Sequence, residues 1–247
     1  MRVDAASLPE SLNVKGGFIV HLGCGDGERT LTLRPKDSYQ VHGLDTDSKN
    51  VAQARAQVKA AGVYGPVSID RLAGNKLPYV DGMVNLVVVE KLGEVPMTEI
   101  MRVLAPKGVA HVNHGGEWKT TVKPRPKDID DWTHFLHGPG GNAVAHDKKV
   151  GPPRHLQWLG SPRWSRHHDR MASMSALVSA NGRVFYVMDE GSRVSIQLPA
   201  RWTLIARDAF NGVVLWKKPM GKWHSHLWPL KSGPTQLARR LVAVGDR

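Results

Sequence analysis

Cysteine is nearly missing from this chain. Cys24 is its one thiol, so no intrachain disulfide can staple the fold, and the redox compartment is left open. No run of 18 or more apolar residues occurs, which excludes a hydrophobic membrane-spanning helix. The continuous apolar stretch of a secretory leader is missing too, because Met1 to Val14 contains acids and Pro9. The default expectation is a cytoplasmic protein, or an exported one if the chain is a fragment that lacks its N-terminus. The end at Leu241-Val-Ala-Val-Gly-Asp-Arg247 reads as a strand and turn cut short, and suggests a piece of a longer multidomain protein.

Acidic residues are also scarce, but only in one half. Residues 1–116 carry 13 Lys and Arg against 12 Asp and Glu, whereas residues 117–247 carry 21 against 10. All eight Trp and eight of the twelve His fall in that second stretch. Composition therefore predicts a boundary near Gly116. The basic excess raises nucleic acid or another polyanion as a partner. The Lys and Arg are scattered among Pro and Trp and form no helical face, so a solvated surface is favoured over nucleic acid.

The first half is organised around Gly17-Phe-Ile-Val-His-Leu-Gly-Cys-Gly-Asp-Gly27. Residues 18–22 have the mostly apolar character of a strand covered on both faces, and Gly23, Gly25 and Gly27 follow at two-residue spacing. Glycines in such a turn allow positive φ and leave no Cβ between the main chain and a ligand. Tyr39-Gln-Val-His-Gly-Leu-Asp45 reads as a second strand ending in an acid 18 residues beyond Gly27, the place for a carboxylate that accepts a ribose hydroxyl.

Gly23-Cys-Gly-Asp-Gly27 with Asp45 resembles the cofactor site of class I S-adenosylmethionine-dependent methyltransferases, over roughly residues 15–114. Nicotinamide folds more often place their third glycine three residues after the second. Glu99-Ile-Met-Arg-Val-Leu-Ala-Pro-Lys-Gly108 is similar to the helix and turn leading into the fifth strand of such domains. The resemblance implies a Rossmann-like, doubly wound α/β sheet that binds S-adenosylmethionine and transfers its methyl group to an acceptor the sequence does not identify. It also implies that Gly23, Cys24, Gly25, Gly27 and Asp45 contact the cofactor, with Asp70 and Arg71 cradling the adenine. Glu90, delivered with Lys91 by the fourth strand, is the candidate catalytic base or else a solvated carboxylate. The sequence departs from the resemblance at His21, where these enzymes usually carry an acid, and no good sixth or seventh strand is readable after His114.

The expected elements are helices over 5–12, 28–33, 49–61 and 97–104, and strands over 18–22, 41–44, 67–69, 83–89 and 109–113. Asp47 or Ser48 is expected to cap the third helix. Residues 117–176 read as an irregular, ordered connector rich in Trp, His and Pro. From Leu177 onward, antiparallel strands are expected at 183–188, 202–206, 213–216 and 241–244, with Asn181-Gly182 and Asn211-Gly212 as turns.

Ala206-Arg-Asp-Ala-Phe-Asn-Gly-Val-Val-Leu-Trp216 is similar to the repeat of pyrroloquinoline-quinone-like β-propellers. The 71 residues from Leu177 supply only about 1.5 blades, so the propeller would be incomplete. An alternative function follows: a catalytically silent cofactor-binding or scaffold module attached to a propeller that does the binding. The pairs His134 and His137, His167 and His168, and His224 and His226 match no zinc spacing, and no metal is assigned to them.

Overall fold

The computed structural model describes residues 7–149, 155–166, 173–195, 197–224 and 235–245. They form two compact units, Met1–Pro126 and Lys127–Arg247.

The first unit is built on strand β1, Gly17–Leu22, whose six residues are all buried. Its Ile19 is level with Val41 of β2 (Tyr39–Asp45) on one side and Leu86 of β4 (Val84–Val89) on the other. All three side chains are fully buried, and each contributes about 1.5–3 kcal/mol. With β3 (Val67–Arg71), β5 (Leu104–His114) and β6 (Glu117–Val122), the sheet runs β3-β2-β1-β4-β5-β6. The first five strands are parallel, as continuous apolar runs require, and β6 is antiparallel to β5.

The helices are α1 (Leu8–Ser11), α2 (Glu28–Thr32), α3 (Ser48–Ala60) and α4 (Met97–Val103). The expected cap of α3 is present: the Asp47 side chain accepts from the Lys49 amide at 2.8 Å, worth about 1 kcal/mol. Val51, Ala54 and Val58 form its buried stripe.

The strand order and parallel pairing fit the expected Rossmann-like sheet, with differences at its far side. Strand β5 is 11 residues long where five were expected. Glu117–Val122, expected to open the connector, is instead the edge strand of the sheet. An edge strand lacks the buried alternation that marks inner strands; its only signals are the β-branched Thr120, Thr121 and Val122 and the half-buried Trp118.

The second unit contains an antiparallel sheet of order β10-β9-β8-β7, formed by β7 (Met174–Ala180), β8 (Arg183–Asp189), β9 (Trp202–Asp208) and β10 (Val214–Pro219). Asn181 and Gly182 both have positive φ, 51° and 77°, as a tight primed turn needs. Gly212 permits a close approach, because a Cβ there would lie 2.3 Å from the ring of Trp158, whose Nε1 donates to the Ala209 carbonyl. Part of the expected connector belongs to this unit: the Trp132 carbonyl accepts from the Ser179 amide of β7. Residues 241–244 are not a strand. The segment follows a 3-10 helix, Thr235–Arg240, and its Ala243 amide bonds to Thr133 instead of to a sheet neighbour. No helix among the described residues is long and apolar enough to cross a membrane.

Candidate functional site

The strand order reverses direction at β1: β2 and β3 follow on one side, β4 and β5 on the other. The crevice at the carboxyl ends of β1 and β4 is where open parallel sheets bind ligands. Leu22 ends β1, and its carbonyl accepts from the Glu90 amide just past β4 at 3.0 Å. The turn Gly23–Gly27 lies beside this point, and a Cβ on Gly23 would come within 3.2 Å of the Lys91 amide nitrogen.

The glycine turn is braced from below by its own amides. Those of Gly23 and Cys24 donate to the Leu44 carbonyl, and that of Gly27 to the Cys24 carbonyl. The Gly25 amide donates to Asp45 Oδ2 at 2.9 Å. These four donors are occupied, so the turn offers a ligand close approach and not a nest of amides. Gly25 provides that approach: its φ is +54°, and nothing lies within 4 Å of where its Cβ would stand.

Asp45 is 7% exposed and works as a fastener. Besides Gly25, its Oδ1 accepts from the Asp47 amide at 2.9 Å and from Asn50 Nδ2 at 3.3 Å. A carboxylate has about four acceptor positions, so three bonds leave one for a ribose hydroxyl.

Cys24 turns inward. It is 4% exposed and rests over Gly43, and burial, with the Asp45 charge adding to it, pushes its thiol up to about 12. It is a packing residue that can meet a cofactor only through its backbone. Asp70 faces His42 and Arg55, with its oxygens 3.2 Å from His42 Nε2 and 2.5 Å from Arg55 Nη2. Arg71 Nε donates to the Thr46 carbonyl at 3.3 Å and so steadies the loop after Asp45.

Glu90 stands at the mouth with its side chain 26% exposed. Arg29, from the first turn of α2, brings Nη1 to 2.6 Å from Glu90 Oε1 and lays its guanidinium 4.6 Å over the ring of Trp118. Trp118 is stacked on His111 at 4.5 Å. The Arg29–Glu90 approach is an ion pair by distance, yet Glu90 Oε1 has no hydrogen bond of good geometry. Distance governs the charge interaction, so the pair stands as electrostatic.

Beneath it, His21 is 1% exposed. Its Nδ1 lies 2.8 Å from Thr30 Oγ1, while its Nε2 has no hydrogen-bond partner and sits 3.6 Å from Glu90 Oε1. Sequence reasoning singled out His21 and Glu90 but missed Arg29 and Trp118. The only available signal for them was a basic residue two positions after the last glycine and an aromatic in a short β-branched run.

Burial, and behind it the Arg29 charge, lowers His21 from 6.5 to about 4. As pH falls the unfolded chain takes up this proton first, so the first unit loses stability between pH 6.5 and 4. Hydrogen bonds from Arg102 hold the Glu99 carboxyl at about 2 against an ordinary 4.5. The stability it provides is complete above pH 4.5 and disappears as pH falls towards 2. Calorimetric melting temperatures should fall in two stages over these windows. His21→Asn should shrink the upper stage without touching the lower one, and an unchanged upper stage would assign it to His42 and His111, which burial also lowers.

Of the paired histidines, His137 Nε2 lies 2.7 Å from Asp130 Oδ2, and His134 Nδ1 lies 2.8 Å from Thr133 Oγ1. His167, His168 and His226 lie outside the described residues. Among the described residues, no three His, Cys, Asp or Glu side chains are grouped as a metal ion needs. A cleft of about 940 Å³ in the second unit is lined by Glu190, Arg201, Trp202, Lys217 and His224, among others. None of the residues of the glycine-turn crevice belongs to it.

Residues 19–108 match the family described as a methyltransferase domain. This match supports S-adenosylmethionine as the cofactor of the first unit. An uncharacterized protein of Haemophilus influenzae is 25% identical over 122 residues, which cover 44% of this chain and 49% of that protein. The chain thus spans about half the length of this curated relative.

Similar solved structures include a candidate S-adenosyl-L-methionine-dependent methyltransferase from Methanococcus maripaludis, at 18% identity and a TM-score of 0.40, covering 44% of this chain and 53% of that one. A geranyl diphosphate methyltransferase in complex with SAM is 18% identical with a TM-score of 0.36, covering 40% and 42%. The [4+2]-cyclase SpnF is 24% identical with a TM-score of 0.38, covering 42% and 43%.

Proposed function

We propose that the first unit binds S-adenosylmethionine across the carboxyl ends of β2, β1 and β4 and transfers its methyl group to an acceptor. The observation that carries this reading is the open space over Gly25, whose amide Asp45 holds, at the strand-end edge where Glu90 follows β4, inside a segment that matches a methyltransferase domain. Asp45 accepts a ribose hydroxyl through its remaining acceptor position. Arg71, at the end of β3, borders the adenine side through the loop it steadies, with Asp70 beside it held by His42 and Arg55. Cys24 contributes packing under the turn.

When bound, the cofactor supplies an activated methyl group for in-line displacement, which chiefly requires an aligned acceptor. Glu90 as a base is disfavoured because Arg29 Nη1 already stands 2.6 Å from its Oε1, where an acceptor proton would have to arrive.

A second reading, the silent cofactor-binding scaffold, is favoured by one observation. The sheet ends at β6, whose outward positions are mostly exposed, so no further strand walls an acceptor pocket among the described residues. The four-stranded antiparallel sheet of the second unit then serves as a propeller-like blade, with Trp158 seated on Gly212 of the repeat-like segment.

Titration calorimetry on the full chain tests both readings. Binding of S-adenosylmethionine with one site per chain supports the first claim, and no heat at millimolar cofactor removes it. Product-release assays against small molecules, protein and RNA are expected to stay near background under the scaffold reading. Robust turnover would eliminate that reading.

A further inference from the structure

The Arg29–Glu90 ion pair is placed unusually for a structural one. It spans the mouth of the crevice at the strand-order reversal, with one member on the helix after the glycine turn and the other just past β4. Behind it stands His21, whose Nε2 is buried without a hydrogen-bond partner and is directed at the same carboxylate. An orphaned polar atom beneath an ion pair marks a place where another polar group is accommodated.

Both partners can turn to a ligand. The Arg29 and Glu90 side chains are 41% and 26% exposed, and the guanidinium stays oriented by the Trp118 ring. A cation over an aromatic face keeps its N–H edge available in the ring plane, and Arg has five such donors.

The spacing specifies what reaches the pair. Asp45 ends β2, and Glu90 follows β4, two strands away. Adjacent strands are about 4.8 Å apart, so the two carboxylates are separated laterally by about 10 Å. A nucleoside whose ribose is held at Asp45 and whose base extends towards β3 therefore presents its 5′ substituent at Arg29 and Glu90.

We propose that Arg29 and Glu90 form a clamp for a zwitterionic amino-acid group on that 5′ substituent, with Glu90 receiving the α-ammonium and Arg29 the α-carboxylate. This rests on the cofactor reading above. Ligand binding exchanges one internal ion pair for two external ones, and the lone His21 Nε2 gains a polar neighbour. The clamp acts as a selector between nucleosides with and without the amino-acid arm, and Glu90 is a binding residue and not a base.

The test compares S-adenosylhomocysteine with 5′-methylthioadenosine. Both carry a neutral thioether on the same nucleoside, and only the first has the amino-acid group. Calorimetric titration of the full chain should show the wild type binding S-adenosylhomocysteine at least tenfold more tightly. Glu90→Gln and Arg29→Gln should each weaken S-adenosylhomocysteine tenfold or more while leaving methylthioadenosine within twofold, which also shows that the variants are folded. Equal weakening of both ligands, or no weakening of either, overturns the clamp and leaves the cofactor reading standing. Failure of the wild type to bind either ligand overturns the cofactor reading and the clamp with it.

Discussion

Asp45→Ala will abolish measurable S-adenosylmethionine binding and destabilise the first unit at the same time. The carboxylate performs two tasks that one substitution removes. As a ligand group it offers one charged acceptor, and losing such a bond costs about 1.5–3 kcal/mol, roughly a 10- to 150-fold change in affinity. As a fastener it receives the Gly25 amide, the Asp47 amide and Asn50 Nδ2, all of which lose their acceptor in the alanine variant.

Those donors are partly open to water, so the stability loss is limited to about 1–3 kcal/mol in total. The Gly25 end of the turn then has nothing to hold it in the left-handed region, and the cradle it forms is lost. Asp45→Asn separates the two tasks. It keeps one carbonyl acceptor for the turn and should recover part of the melting temperature, while binding stays weakened by the loss of charge. Undiminished affinity in Asp45→Ala would remove this residue from the site.

Gly27→Ala should be the most destabilising single-methyl change in the site, costing about 2–5 kcal/mol, whereas Gly25→Ala should cost about 1 kcal/mol yet impair binding more specifically. Both glycines have positive φ, +90° and +54°, so each alanine incurs the left-handed strain of about 1–2 kcal/mol or somewhat less. Their surroundings differ. A Cβ on Gly27 would lie 2.8 Å from Ala54 Cβ and 3.0 Å from Ala54 Cα, against a buried helix that cannot yield without moving the α3 stripe from β2 and β3. Overpacking of this kind adds about 1–3 kcal/mol.

A Cβ on Gly25 meets nothing within 4 Å, and so it occupies the space assigned to the ligand. Calorimetric melting and cofactor titration on the two variants should give opposite rankings for stability and for the selective loss of affinity. Wild-type affinity in Gly25→Ala would mean that the ligand does not pass over this turn.

The sequence by itself determined the elements whose causes are local or periodic. The apolar runs at 18–22 and 83–89 read as doubly covered parallel strands, and β1 and β4 stand there. Asp47 marks the start of α3 by its capping bond, and Asn181-Gly182 dictates a primed turn. Gly23, Gly25, Gly27 and Asp45 were legible as a strand-end turn and a second strand's closing acid because turn chemistry and strand ends are written in neighbouring residues.

Tertiary structure alone decided the rest. Asp45 fastens Gly25 across 20 positions, and Arg29 reaches Glu90 only because β4 lies beside β1, which no stretch of chain encodes. Strand β6 was hidden because an edge strand is held by its backbone ladder and needs no buried alternation. The segment at 241–244 carried a strand's composition, but its backbone bonds to Thr133 instead of to a sheet neighbour. Local pattern records which face of an element is buried, while the lateral order of strands sets which charges meet at their ends.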